Sequence, residues 1–235
     1  MPQAKTKVVM LPGLDGTGLL FGPALRACPN EFEAVVEALP ALEPLDYQAL
    51  AERVTPALPV HEPFILLGES FSGPLALEVA ARRPVGLLGV VLVATFVTPP
   101  KPGWVSLLPW KLIFRFSPPQ FLVQHFFLGR CRTEELQGIL QRLPELVAPE
   151  VMASRVEAVS SVDARGVLSS CPVPILYLQA SQDRLVPDRA LAEVLRVRPE
   201  VEHRRIDSPH FVFQVAPDEA WGHILTFLRD LKGAF

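Results

Sequence analysis

Residues 62–83 read EPFILLGESFSGPLALEVAARR. Phe64 to Leu67 is an apolar run of strand length. Gly68 to Gly73 forms a sharp turn. A helix then opens at Pro74, a residue the first helical turn tolerates because its missing N–H has no partner there. A strand, a tight turn with serine at its apex and a helix make up a nucleophile elbow. The turn must be strained for the hydroxyl to project from the sheet, and the flanking residues must be small for the helix to pass close to the strand. Gly68 meets this demand. Position 72 is Ser where the G-x-S-x-G pattern has Gly, and Gly73 follows it, so the stretch is a near match. Ser70 could equally be an ordinary turn serine before a helix; the rest of the chain decides.

A chain of 235 residues suits one α/β domain with a sizeable core. About half of the residues are hydrophobic and a fifth charged, with a formal net charge of −3, which describes a globular chain and not a disordered one. No basic stripe points to nucleic acid. Arg82-Arg83 and Arg204-Arg205 are isolated surface pairs. Cys28, Cys131 and Cys171 are odd in number and widely spaced, against a disulfide framework or a zinc site. The apolar run VVML near the N-terminus is too short for a signal peptide. Residues 84–100, the longest uncharged stretch, are rich in Val and Gly and read as a buried strand, not a membrane span. A cytoplasmic location is the expectation. The 25 prolines are roughly twice the usual ~5%; they cluster at element ends and through 99–119, so they do not mark disorder.

Strands are expected at 7–11, 32–39, 87–94, 173–179 and 201–206 beside the one at 64–67. Helices are expected at 47–58, capped by Asp46, and at 188–197 and 218–231. This alternation gives an α/β fold with a mainly parallel sheet of about six strands flanked by helices. From Phe96 to about Ser170 the rhythm breaks into helical stretches at 104–116, 119–128, 133–143 and 149–162. The first two are dense in large apolar groups. Residues 97–169 are therefore read as an inserted helical cap, and 1–96 with 170–235 as the core. Most cap aromatics should pack the cap onto the core. Trp104, Phe114, Phe121 and Phe126 are candidates to line an acyl pocket, and an exposed part could lie on a membrane interface.

The first strand runs into Pro12-Gly13-Leu14-Asp15-Gly16-Thr17-Gly18. Its glycines fall in the wrong order for G-x-G-x-x-G, and no G-K-[ST] occurs, so no nucleotide cofactor is expected. A loop whose backbone N–H faces a developing oxyanion fits better, with Leu14 as one donor and Phe71 as its partner. Two late strands end in Ser181-Gln182-Asp183-Arg184-Leu185-Val186-Pro187 and in Asp207-Ser208-Pro209-His210-Phe211. Asp207 rivals Asp183 as the acid but lies only three residues from His210. His61, His125, His203 and His223 do not follow a late strand. No H-E-x-x-H pattern occurs, and no metal is expected.

The order Ser, Asp, His is that of the α/β-hydrolases, and the sequence resembles that family over nearly its whole length. LPGLDGTG together with GESFSG looks most like small bacterial esterases and the hydrolase part of plant phytyl-ester-synthase-type acyltransferases. The departures are Ser72 for Gly and Pro12-Gly13 where many members have His-Gly; the two leading antiparallel strands of the family have no counterpart. The resemblance implies an α/β-hydrolase fold, a catalytic Ser70, His210 and Asp183, and oxyanion donors at Leu14 and Phe71. It implies a carboxylesterase-type enzyme acting on a small-molecule acyl ester, with no cofactor, no nucleic acid and no stable membrane insertion. Two alternatives stay open. An acyltransferase, or a thioesterase or acyl-carrier-protein ester hydrolase, would use the same residues, and a non-catalytic binding protein would use only the scaffold.

Overall fold

The strand Phe64–Glu69 (β3) lies inside a six-stranded parallel sheet of order β2-β1-β3-β4-β5-β6. The other strands are Thr6–Leu11 (β1), Phe32–Val36 (β2), Leu87–Val93 (β4), Ile175–Ala180 (β5) and Glu202–Ile206 (β6). The structure, a computed structural model, describes residues 5–101, 108–117, 119–129 and 134–233.

Alternation of side chains along a strand divides the core in two. Phe64 and Leu66 of β3, with Val90 and Leu92 of β4, face one layer. Ile65 and Leu67, with Val91 and Val93, face the other. Because both faces are covered, the stretches Phe64–Leu67 of β3 and Val90–Val93 of β4 are apolar at every position. On the first face lie the helices Tyr47–Val54 (α2), Ser72–Ala81 (α3), Arg165–Ser169 (α8) and Arg189–Val197 (α9), through Leu50, Leu75, Leu168 and Leu191 among others. On the second lie Gly22–Arg26 (α1), Val212–Val215 (α10) and Pro217–Gly233 (α11), through Ala24, Phe213 and Trp221. Each fully buried Leu, Val or Phe in these layers contributes about 2 kcal/mol of apolar burial.

Between β4 and β5 the described residues form no strand. They contain the helical segments Trp110–Ile113 (α4), Gln120–Val123 (α5, continued by a π-helical turn over Gln124–Leu128), Glu134–Leu146 (α6) and Pro149–Ser161 (α7), ahead of α8. Several element ends differ from the sequence expectation. The helix expected over 104–116 has only the turn Trp110–Ile113 within its described part. Helix α2 stops at Val54 instead of running to Leu58, because Pro56 supplies no N–H and the chain tightens into a 3₁₀ turn. Strand β2 ends at Val36, short of Leu39, as the chain approaches Pro40. Helix α6 continues past the expected Leu143 through Pro144 to Leu146. No helix among the described residues is long and apolar enough to cross a membrane.

The chain leaves β1 toward one sheet edge and β3 toward the other. The carboxyl ends of these adjacent strands therefore diverge, and an open α/β sheet places its ligand crevice at such a point. The loop after β1 and the turn after β3 are the two stretches singled out in the sequence.

Candidate active site

Ser70 has φ 52, a left-handed conformation uncommon for a residue with a side chain. Its neighbours make this possible. A Cβ on Gly68 would lie 2.2 Å from the carbonyl oxygen of Ser72, so α3 passes the strand at a distance only glycine allows. A Cβ on Gly73 would lie 2.0 Å from Thr95 Oγ1. Ser72, where the pattern has Gly, is fully buried, and its hydroxyl donates to the carbonyl of Pro12 at 2.5 Å. The side chain at position 72 thus points at the loop after β1, and the tight approaches fall on Gly68 and Gly73. Thr95, just past β4, donates from Oγ1 to the Ser70 carbonyl at 2.5 Å. Its own carbonyl accepts from the Tyr177 hydroxyl on β5, also at 2.5 Å.

The loops after β5 and β6 bring two further groups to Ser70. His210 Nε2 lies 2.9 Å from Ser70 Oγ, and His210 Nδ1 lies 2.7 Å from Asp183 Oδ2. The other Asp183 oxygen accepts from the N–H of Leu185 and of Val186 at 2.7 and 2.9 Å. A carboxylate only accepts, so the proton of the neutral ring belongs on Nδ1. Nε2 is then free to accept from the Ser70 hydroxyl. Burial pulls the pKa of His210 down, but the charge and hydrogen bond of Asp183, with Glu69 adding to them, outweigh it and leave it raised. The rival acid Asp207 is exposed and accepts instead from Ser181 Oγ and Gln182 Nε2, at 2.9 and 2.7 Å, bridging the ends of β5 and β6.

The loop after β1 lies directly beside Ser70. A Cβ on Gly13 would stand 3.9 Å from Ser70 Cβ. Leu14 and Phe71 both line the cavity that Ser70 and His210 face. Among the described residues no hydrogen bond takes the N–H of Leu14 or of Phe71. The carbonyl of Phe71 accepts from the Tyr47 hydroxyl at 3.0 Å, and the two rings stack at 4.9 Å. Position and free N–H groups suit both residues to bind an oxyanion.

The cavity measures about 770 Å³. Apart from Ser70 and His210 its walls are mainly apolar, with Phe96 and Leu20 from the core, Phe114, Phe126 and Leu140 from the segment between β4 and β5, and Met152, Val156 and Val159 from α7. Ile113, Phe116 and Leu122 line it while also exposed to solvent, so its mouth is apolar too. Phe114 and Phe126 thus stand where an acyl pocket requires. Phe121 does not: its side chain is 69% exposed and the adjacent Leu122 takes the place on the cavity wall. Successive helical side chains point about 100° apart, and here it is Leu122 that turns toward the cavity. Trp104 lies outside the described residues.

Three features have no counterpart in the sequence reading. Glu69, immediately before Ser70, is buried and borders the same cavity. One of its oxygens accepts from Gln214 Nε2 at 3.1 Å, and the other has no partner. Burial pushes its pKa up to about 7. Thr95 holds the Ser70 carbonyl. Arg155 of α7 reaches the loop after β1. A signal for Arg155 was present: it stands three and four residues from Met152 and Val151, on the apolar face of its helix.

A model of the alpha/beta hydrolase family matches residues 8–221. A pimeloyl-[acyl-carrier protein] methyl ester esterase of Neisseria meningitidis serogroup A is 27% identical over 229 residues, which cover 90% of this chain and 70% of the relative. The chloroplastic phytyl ester synthase 1 of Arabidopsis thaliana is 30% identical over 159 residues, 63% of this chain and 22% of that protein. Among solved structures, the enol-lactonase of Burkholderia xenovorans superposes with a TM-score of 0.78 at 18% identity, over 97% of this chain and 92% of its own. At that identity the likeness is one of fold.

Proposed function

The chain belongs to the alpha/beta hydrolase family, and on that footing we propose that it is a serine ester hydrolase for substrates with long apolar acyl groups. Ser70 is the nucleophile, His210 the general base and acid, and Asp183 the carboxylate that orients it. The N–H groups of Leu14 and Phe71 receive the oxyanion.

A serine hydroxyl is a weak nucleophile at neutral pH and needs a base to take its proton. As Ser70 Oγ bonds to the ester carbonyl carbon, its proton passes to His210 Nε2. The imidazolium is stabilised by Asp183 on the far side of the ring. The carbonyl oxygen becomes an oxyanion facing the two N–H donors. Collapse breaks the ester C–O bond, and the leaving alkoxide takes the proton from His210. Water then repeats the sequence on the acyl-enzyme, and Ser70 regains its proton.

The observation that carries this reading is the Ser70–His210–Asp183 file, at hydrogen-bonding distances, opening into an apolar cavity of about 770 Å³. Its mainly hydrocarbon walls favour an aliphatic chain, which gains by leaving water. Hydrolysis of p-nitrophenyl esters from acetate to palmitate, by wild type and Ser70→Ala side by side, tests it. Activity rising with chain length in wild type and absent from the variant is the expected result. A Ser70→Ala protein as active as wild type would refute it.

A second reading, an ester of an acyl chain held on a carrier protein, is supported by the 27% identity to the Neisseria methyl ester esterase across 90% of this chain. It predicts a higher kcat/KM on a carrier-bound acyl methyl ester than on the same ester free in solution.

A further inference from the structure

We propose that Arg155 is a positioning residue for the oxyanion-binding peptides, holding the loop after β1 and the ring of Phe71 from helix α7. The inference rests on the serine hydrolase reading, since it concerns the groups that would stabilise its oxyanion.

Arg155 is 1% exposed. Its Nη1 donates to the carbonyls of Leu14 and Asp15, both at 2.8 Å, and its Nη2 to the carbonyl of Pro40 at 2.9 Å. Its Cζ stands 5.9 Å from the centroid of the Phe71 ring. Among the described residues no carboxylate lies within ion-pair distance of it. Asp15, the nearest charge acting on it, spends its Oδ2 on the N–H and hydroxyl of Thr17. Burying a cation without an ion pair is costly. A Leu or Met would fill the space without that cost, so packing alone does not account for an arginine here. The guanidinium offers several N–H groups in a planar fork, and here they capture two carbonyl oxygens of the loop after β1 and that of Pro40 after β2.

Those carbonyls decide what the oxyanion meets. In a trans peptide the N–H points opposite the C=O, and a loop peptide turned over would present its oxygen to the developing negative charge. Every carbonyl of residues 12–15 has a hydrogen-bond donor. The Pro12 carbonyl accepts from Ser72 Oγ, that of Gly13 from the Gly16 N–H at 3.0 Å, and those of Leu14 and Asp15 from Arg155. The Leu14 N–H shares its peptide with the Gly13 carbonyl, which the Gly16 N–H holds; Arg155 fixes the next two peptides, so the residue carrying that N–H is anchored on its other side. The contact with Phe71 extends the same hold to the residue that carries the second donor. Two of the four anchors come from one side chain on α7, outside the strands and turns that carry the nucleophile.

The test compares wild type, Arg155→Lys and Arg155→Met in the rate at which a long-chain alkyl fluorophosphonate labels Ser70, a reaction that places a phosphoryl oxygen in the oxyanion position. Steady-state kinetics and unfolding midpoints are measured alongside. Loss of one oxyanion donor costs about 10²–10³-fold in kcat, which bounds the effect of misdirecting one. Arg155→Lys, with charge kept but one point of donation in place of a fork, should label and turn over about 10–100-fold more slowly, with KM within about 3-fold of wild type. Arg155→Met should be slower still. Labelling of Arg155→Lys at the wild-type rate, while wild type labels normally, would overturn this inference and leave the hydrolase reading intact. So would a loss of activity no larger than the loss of folded protein in both variants. Failure of wild type itself to label Ser70 would overturn the hydrolase reading and this inference with it.

Discussion

Replacing Glu69 by Gln should stabilise the folded protein at pH 8 by up to about 3 kcal/mol and leave it nearly unchanged near pH 4.5. The carboxyl is buried next to Ser70 in the chain, and burial raises its pKa from 4.5 to about 7. Unfolded, the group loses its proton near 4.5; folded, it keeps it to about 7. Within that window the folded state binds more protons, so stability falls as pH rises and stays lowered above it. A shift of roughly 2.5 units at about 1.36 kcal/mol each gives the ~3 kcal/mol. Glutamine has the same shape, carries no charge and still accepts from Gln214 Nε2. His210 titrates nearby and the Glu69 charge helps to raise it. The informative quantity is therefore the difference between the two proteins and not either curve alone. Urea unfolding at pH 5, 6, 7 and 8 would measure it. A difference that stays flat with pH, or a variant less stable than wild type at pH 8, would refute the claim that a buried charge develops at Glu69.

Asp183→Asn should lower kcat by about 10³–10⁴-fold, because the amide no longer fixes the Nδ1 proton or stabilises the imidazolium, while Asp207→Asn stays within a few-fold of wild type on the same ester. Ser72→Ala leaves the Pro12 carbonyl without its donor and should cost about 1–3 kcal/mol, read as a lower unfolding midpoint, with slower acylation of Ser70. Val156→Phe adds a ring to a cavity-lining position and should move the optimum in the ester series to shorter chains; an unchanged optimum would place the acyl group elsewhere.

The sheet was legible because its central strands are buried on both faces: FILLG and LLGVVLVA admit no other environment. The loops after β1, β3, β5 and β6 were legible because their residue types are tied to turn geometry and to proton transfer. Less could be read between β4 and β5. The first two helical stretches there are dense in apolar residues, and composition does not say which face of a short helix turns inward, so Phe121 was expected on the cavity wall where Leu122 stands. Arg155 was passed over for a different reason. A charged residue is ordinarily read as solvated, and only its place on the apolar side of α7 marks it as buried. Ser72 could be read as a tolerated small residue but not as a donor, since its acceptor lies sixty residues earlier in the chain.

Ser70 shows how these long-range bonds serve one strained residue. A non-glycine residue at positive φ costs about 1–3 kcal/mol and persists only where its surroundings over-determine it. The Ser70 N–H donates to the Val93 carbonyl at 2.8 Å, extending the β3–β4 ladder by one step. Its carbonyl accepts from the Gly73 N–H at 3.1 Å and from Thr95 Oγ1 at 2.5 Å. Thr95 is pinned in turn by Tyr177 on the next strand. At about 0.5–1.5 kcal/mol for each hydrogen bond, three bonds on the backbone of one residue are of the size needed to offset the strain. None of them involves the hydroxyl, which is left to His210. The tethers come from β4, α3 and, through Thr95, β5. A substitution that moves these strands apart should therefore lower the reactivity of Ser70 without touching the cavity.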